Sequence, residues 1–407
     1  MAYRVRPCRS LDEFAKAVEA IGHYFGWVPS EDEVERFAKL LPVERMHAAF
    51  DGKEIVGGAG VFPFEMTVPG AIVPCAGVTV VGVLPTHRRR GILARMMRAQ
   101  LDDVRERGTE PFASLWASEA TIYGRFGYGL ASLQYEIRLP SLRAALRAGT
   151  PLRSGAVRLV ETDEALKSFP RIYERVRKET PGFLTRTKEW WELRRLRDDV
   201  SRRPPGAGPL NLALFELDGK PAGYAMYRLA QAEEDGHWKR RVRVIEALGV
   251  DAVATREIWR FLTEIDWTDE ILAWLLPADH PIQLLVGRPD RLDLNGSTGL
   301  WVDLVDVGAS LSARGYRQDG RVTFELVHPF CPWNDGTWTL SDGTAKRSSR
   351  RPDVRLDATA LGAAYLGGFS FAQLARAGLV EEASRGGLAR ADTLFGSDRA
   401  PWCPEIF

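Results

Sequence analysis

Between residues 78 and 94 the chain reads VTVVGVLPTHRRRGILA, a stretch that limits the architecture more than any other. Val78, Thr79, Val80, Val81, Gly82 and Val83 make a β-branched run of the kind that fills a buried strand. Pro85 ends it. Leu93, Met96, Met97, Leu101 and Val104 then recur at helical spacing, and Gly108 stands where a helix would stop. Arg88, Arg89, Arg90 and Gly91 therefore fall where a strand hands over to a helix N-terminus. Unpaired backbone N–H groups and the positive end of the helix dipole meet at such a place, and both suit a phosphate. The competing reading is a solvated basic turn ahead of an ordinary helix. Neither a Walker pattern ending in Gly-Lys-Ser/Thr nor a G-x-G-x-x-G after a strand occurs.

A second stretch narrows the choice. Trp116 to Gly129 reads WASEATIYGRFGYG and follows a short apolar strand from Phe112. The spacing Arg88-x-x-Gly91-x-Leu93 resembles the acyl-CoA pyrophosphate loop of the GNAT acetyltransferases, with Leu93 replacing the usual small residue. Tyr123 and the Gly127-Tyr128 pair resemble the GNAT segment whose tyrosine faces the thioester. THRRRG followed by ASE-x-x-IYGRFGYG is similar, more narrowly, to the Eis (enhanced intracellular survival) family of aminoglycoside N-acetyltransferases.

Composition is compatible with that resemblance. At 407 residues, with 45% apolar and 27% charged side chains, the chain is long enough for two or three soluble globular domains. A net charge of +1 argues against a general nucleic-acid binder. No apolar run approaches the ~20 residues of a membrane helix, and the first twenty residues lack the apolar core of a signal peptide. Cys8, Cys75, Cys331 and Cys403 show no C-x-x-C or Cys/His spacing, and the six histidines do not cluster. Neither a metal site nor a disulfide framework is expected, and the reducing cytoplasm is the expected location.

Taken in order, residues 11–22 and 31–41 read as helices joined by HYFGWVPSED. In the GNAT topology this loop forms one wall of the acceptor site. Its Tyr24, Phe25 and Trp27, with nearby acids, suit a cationic amine or else serve as core or interface. Residues 46–68 read as a hairpin turned on Asp51-Gly52. A first domain of residues 1–150 ends in the basic segment SLRAALRAG, which reads as a helix. In residues 151–290 the order of hairpin (212–228), strand (242–250) and helix (255–264) repeats. This second unit reads as a degenerate GNAT fold: it lacks Arg-x-x-Gly, and Asp251 would repel a phosphate. Residues 183–200 read as a helix, and RRPPGAGP as a surface loop. Residues 291–407 mix strands (299–305, 322–327, 337–340) with helices (307–314, 357–365, 371–377, 379–391). They resemble the sterol-carrier-protein-like domain that ends Eis chains. The predicted fold is thus α/β (α+β), with tandem GNAT folds followed by that domain.

The resemblance also implies roles. Val81, Gly82, Val83, Arg88, Arg89, Arg90, Gly91, Ile92, Leu93, Ala94, Ser118 and Glu119 would bind acetyl-CoA. Tyr123 would protonate the leaving thiolate; its phenol, with an ordinary pKa of ~10, carries the proton at neutral pH. Tyr128 reads as packing. In Eis proteins the C-terminal carboxylate of an aromatic last residue acts as base, a place Phe407 fits. An α-carboxylate has a pKa of ~3.5 in water, so burial must raise its proton affinity. Glu405 stands one place from the acid that usually helps bind the cationic acceptor. Eis proteins are hexamers of paired trimers, so a homohexamer is implied. The expected activity is direct acetyl transfer to aminoglycoside-type polycationic amines, with no metal, nucleic-acid or membrane partner. Protein-lysine or small-amine acetylation, or non-catalytic CoA or lipid binding, are the alternatives.

Overall fold

The computed structural model describes residues 3–141, 146–147, 155–200, 203–234 and 236–407, and their strands fall into three sheets. Through residue 130 the elements are β1 (Arg4–Pro7), α1 (Leu11–Gly22), α2 (Glu31–Leu40), β2 (Met46–Asp51), β3 (Glu54–Val68), β4 (Ala71–Val83), α3 (Ile92–Arg107), β5 (Phe112–Trp116), α4 (Ala120–Tyr123) and β6 (Gly129–Leu130). Then come β7 (Leu133–Pro140), β8 (Ala156–Leu159), α5 (Thr162–Arg177), α6 (Lys188–Trp190), β9 (Asn211–Leu217), β10 (Lys220–Glu234), β11 (His237–Gly249), α7 (Ala252–Thr263), β12 (Glu270–Leu276), α8 (Ile282–Leu285) and β13 (Asp293–Thr298). The last part holds β14 (Leu300–Asp303), α9 (Val307–Ala313), β15 (Arg321–Val327), β16 (Gly336–Ser341), β17 (Thr344–Arg347), β18 (Val354–Asp357), α10 (Ala358–Tyr365), α11 (Phe371–Arg376), β19 (Val380–Glu382) and α12 (Gly387–Phe395).

The backbone forms two units. One comprises Met1–Ser132, Thr298–Pro401 and Glu405–Phe407; the other comprises Leu133–Ser297 and Trp402–Pro404. The basic segment predicts a boundary near residue 150, but residues 142–145 and 148–154, in and just after it, lie outside the described ones. The two units part at Ser132 and Leu133, where β7 begins and pairs with β12 from Glu270↔Pro140 to Ala273↔Ile137.

In the first unit the sheet order is β1-β2-β3-β4-β5-β14-β6. Strands β1 to β4 are antiparallel, while β4 and β5 run parallel. That parallel pairing covers only Cys75–Gly77 against Phe112–Ser114. Past Gly77, β4 continues to Val83 without β5 beside it in register. Its pairing with β3 slips between Gly58 and Gly60, and Val80 in the bulge has φ 52°. A β-branched residue held there stores on the order of 1–3 kcal/mol of strain, a cost that clusters at functional sites. Helix α3 covers one face, burying Met97, Leu101 and Val104 against Val61, Ala76 and Val78. Val305 and Cys331, from far along the chain, complete that core. Outside it, Arg98 lies 4.0 Å over the Phe330 ring and Arg105 4.3 Å over Trp333. These cation–π contacts dock the 330–333 loop on α3.

A five-stranded sheet, β17-β16-β15-β18-β19, belongs to the same unit. Phe324, Phe371 and Phe395 pack together beneath it. The helix predicted for 379–391 is instead β19 followed by α12. Pairing of Val354 with Glu382 offers residues 380–382 a ladder that outweighs their helical pattern.

In the second unit the order is β13-β7-β12-β11-β10-β9-β8. Ile258, Trp259 and Leu262 of α7 fill one core cluster. Phe169, Ile172 and Tyr173 of α5 fill another, where Phe169 stacks on Tyr224 at 4.3 Å. The helix predicted for 183–200 is only α6 and one π-helical turn, Trp191–Arg195. Buried Arg186 pairs with Glu246 at 2.6 Å, which holds the preceding residues out of a continuous helix. Residue 202 of the predicted loop is outside the described residues. Among the described residues no helix is long and apolar enough to cross a membrane.

Candidate active site

The strand–turn–helix of residues 78–107 ends in an open helix N-terminus. Gly91 caps α3 at φ 76° with no side-chain hydrogen bond to the first turn. Only a residue without Cβ takes that conformation cheaply, and no atom lies within 4 Å of where a Cβ would be. Arg89 shares the left-handed conformation at φ 61°. Arg88 and Arg89 are exposed and ion-paired to no carboxylate among the described residues. Arg90 donates from Nη1 to the Tyr3 hydroxyl at 2.9 Å. Ile92 is buried, Leu93 half-buried against the core and Ala94 exposed. The larger Leu93 thus spends its bulk on packing. Free N–H groups and two guanidinium groups without a carboxylate partner give this turn the chemistry that suits an anion.

The counterpart in the second unit is closed. Asp251 caps α7 with its carboxylate, accepting the Ala254 N–H at 2.8 Å. That acid occupies the donors a phosphate would need and repels one electrostatically.

At the far side of the diverging strands, α4 carries Tyr123. Its side chain is buried. Burial raises the phenol above its ordinary value, against a smaller lowering influence from Ser118. Tyr128 is wholly buried, its ring edge-on to Tyr123 at 6.2 Å, and burial pushes its phenol well up. Ser118 and Glu119 are exposed, and Glu119 accepts from the Thr121 hydroxyl at 2.9 Å. On β4, Gly82 is buried and Val81 and Val83 half-buried. Tyr24 donates its hydroxyl to the Val83 carbonyl at 2.6 Å, which ties the 23–32 loop to the end of β4. Phe25 is 70% exposed and Trp27 half-buried.

The C-terminus joins this region. Trp116, at the end of β5, donates its indole N–H to the Glu405 carbonyl at 2.7 Å. The Phe407 ring lies edge-on to Phe64 of β3, 5.2 Å between centroids, and is buried. The Glu405 side chain is buried and Ile406 partly exposed. Upstream, within the second unit, the Trp402 N–H bonds to the Pro181 carbonyl at 2.7 Å and its ring packs on Phe183. The tail thus makes contacts through to Phe407.

Trp116 was not predicted: an indole closing a strand carries no local signature of its partner. The bulge at Val80 was also invisible, since a β-branched run reads as regular strand. Asp303, His328 and Cys331 place potential ligand atoms within 4.8 Å of one another. Both ring nitrogens of His328 are already hydrogen-bonded.

Comparison with known proteins identifies the domains. Residues 4–131 and 182–299 each match an acetyltransferase (GNAT) domain family, and residues 307–404 match the sterol carrier protein domain. An uncharacterized N-acetyltransferase of Streptomyces avermitilis is 40% identical over 387 residues, 94% of each chain. N-acetyltransferase Eis of Mycobacterium tuberculosis is 34% identical over 356 residues, 85% of this chain and 84% of that one. Eis1 from Mycobacterium abscessus has the same fold, with a TM-score of 0.85 at 33% identity over 99% of this chain and 100% of that one. Two GNAT folds, of which the second has its helix N-terminus closed, thus precede a sterol-carrier-protein-like domain. GNAT acetyltransferases use acetyl-CoA. The chain is an N-acetyltransferase and belongs to the Eis family.

Proposed function

We propose that this enzyme moves the acetyl group of acetyl-CoA directly onto an amine of an aminoglycoside-type polycationic acceptor. The observation that carries the reading is the pairing of an uncapped, arginine-flanked helix N-terminus with a buried, protonated tyrosine across the gap between β4 and β5. The turn of residues 88–94 takes the pyrophosphate. The edge of β4 at Val81–Val83 that β5 leaves unpaired offers backbone groups, apart from the Val83 carbonyl held by Tyr24, to the pantetheine arm and the thioester oxygen, and Ser118 and Glu119 border the same cofactor. Loop residues Tyr24, Phe25 and Trp27, with Glu405, face the cationic acceptor.

The neutral amine attacks the thioester carbon. A C–N bond forms, the C–S bond breaks, and oxyanion stabilisation comes from backbone N–H groups. The Phe407 carboxylate accepts the amine's proton, and Tyr123 gives its proton to the departing thiolate. Burial of Phe407 supports the first role, since a desolvated carboxylate gains proton affinity. A raised phenol supports the second, since the donor form persists at neutral pH. A homohexamer acting in the cytoplasm completes the reading, and light scattering of the purified protein tests the assembly.

The test is free-thiol release from acetyl-CoA with kanamycin-type aminoglycosides, spermidine and lysine peptides. Aminoglycoside turnover that collapses both in Tyr123→Phe and in a chain extended past Phe407 is the expected result. Turnover on peptides alone would move the acceptor to protein lysine. Bound CoA without any turnover would leave a binding protein.

A further inference from the structure

The turn that follows Tyr123 is built by residues nearly two hundred positions downstream. Phe126 packs on Phe330, 4.9 Å between ring centroids. Gly129 and Leu130 pair with Val302 and Trp301 of β14. Between them Gly127 has φ 101°, and a Cβ there would lie 2.7 Å from Asp303 Oδ1 and closer still to His328 Cε1. The backbone at Gly127 thus rests directly on a side-chain pair, with no room for an intervening group.

That pair is rigidly held. Asp303 ends β14, in register with Ala113 of β5, and is fully buried. His328 is fully buried as well. Its Nδ1 accepts the Cys331 backbone N–H at 3.0 Å, so the ring proton is on Nε2, which donates to Asp303 Oδ1 at 2.9 Å. Its backbone N–H is in turn bound by the Asp335 carboxylate. Both nitrogens are committed, so the imidazole has one orientation.

We propose that Asp303 and His328 are positioning residues for the acetyl transfer: by seating the Gly127–Tyr128 turn they set the place of the Tyr123 hydroxyl. The proposal rests on Tyr123 being the proton donor. The transmitting contact is the Tyr128 ring, wholly buried and edge-on to Tyr123 in the same core cluster. Proton donation demands a hydroxyl within hydrogen-bond reach of the sulfur, and displacements near 1 Å are costly. The sterol-carrier-protein-like domain, which contributes His328, therefore has a part in the chemistry through packing, apart from any ligand of its own.

The test uses the full chain, acetyl-CoA and kanamycin. In His328→Phe, kcat should fall at least tenfold while the KM for acetyl-CoA stays within twofold. Asp303→Asn keeps an acceptor oxygen for Nε2–H and should remain within threefold of wild type. In a Tyr123→Phe background, His328→Phe should cost less than a further twofold. Equal losses in both backgrounds would mean the pair acts elsewhere and would overturn the proposal. Should His328→Phe not fold, Gly127→Ala, which pushes on the same pair, takes its place. If Tyr123→Phe alone keeps wild-type turnover, the donor assignment fails, and the proposal that rests on it is overturned. With 3-fluorotyrosine incorporated, the ¹⁹F line lost in Tyr123→Phe identifies Tyr123. Movement of that line in Gly127→Ala and His328→Phe supports the positioning, and an unmoved line overturns it.

Discussion

Trp116 donates its indole N–H to the backbone carbonyl of Glu405, across 289 positions of sequence. With the Phe407 ring on Phe64, this bond seats the last three residues beside strands β3 and β5 at the candidate active site. Trp116→Phe keeps the aromatic bulk and removes the donor, a loss of about 1 kcal/mol. If the Phe407 carboxylate is the base, kcat falls several-fold in that variant while acetyl-CoA affinity is unchanged. Steady-state thiol release together with CoA titration by calorimetry checks both halves. An unchanged kcat would count against the tail as catalytic.

Tyr123→Phe removes the proposed proton donor without changing the packing against Tyr128. A loss of 10²–10⁴ in kcat is the usual range for a general acid. Because burial raises the Tyr123 phenol, the donor form is retained as pH rises through the neutral range and beyond about 10. The pH profile of kcat should therefore show no alkaline fall below about pH 9 that Tyr123→Phe abolishes. Observation of such a fall would assign the acid role to another group.

Gly91→Ala and Asp251→Ala should have opposite signatures. At Gly91 the site is spatially open but φ is 76°, so alanine strains the turn by about 1 kcal/mol and puts a methyl group at the proposed pyrophosphate site. The KM for acetyl-CoA should rise tenfold or more, and Arg88→Ala should raise it in a salt-dependent manner. Asp251→Ala removes the α7 cap, destabilising by about 1 kcal/mol, with no effect on acetyl-CoA kinetics. A CoA stoichiometry above one per chain would contradict the closed second unit.

His280 links stability to pH. It is fully buried, its Nδ1 accepts the Ile282 N–H at 3.2 Å, and burial lowers its pKa to about 3. The unfolded chain takes up that proton near 6.5, and the folded chain does not until about 3. The contribution is therefore complete above pH 6.5 and is lost as pH falls toward 3, on the order of 2 kcal/mol between pH 7.5 and 5. His280→Asn keeps an acceptor for Ile282 and cannot titrate, so its urea midpoint should drop less over that interval. Part of the drop should persist, because burial also lowers His47, to about 4, where it faces Asp103, Arg45 and Arg107. Equal drops in both proteins would place the linkage elsewhere.

Elements with strong local signals were legible. The 92–107 helix is bounded by glycines at both ends, and the hairpin turns at Asp51-Gly52 and Asp218-Gly219 stand where Asp-Gly is written. Residues 112–116 form the strand that their composition predicts. Local pattern misled where a long-range partner competed with it. Residues 379–391 carry helical spacing throughout, yet the first part pairs with β18. Residues 183–200 read as one helix, but the buried Arg186–Glu246 ion pair needs its own backbone path.

The Arg88–Gly91 turn, the uncapped helix behind it and the acid cap at Asp251 follow from residues within a few positions of one another. Their physics is local: φ preferences, caps and the helix dipole act over one turn, so the amino-acid order alone specified them. The choice of β14 rather than β7 as the strand beside β5 belongs to the folded chain, as do the bulge at Val80 and the seating of Gly127 on Asp303 and His328. Each of these depends on which distant edge satisfies a strand's open hydrogen bonds and which distant side chain fills a given volume. Such partners compete for the same site only once the core is assembled, and no periodicity along the chain records which of them wins.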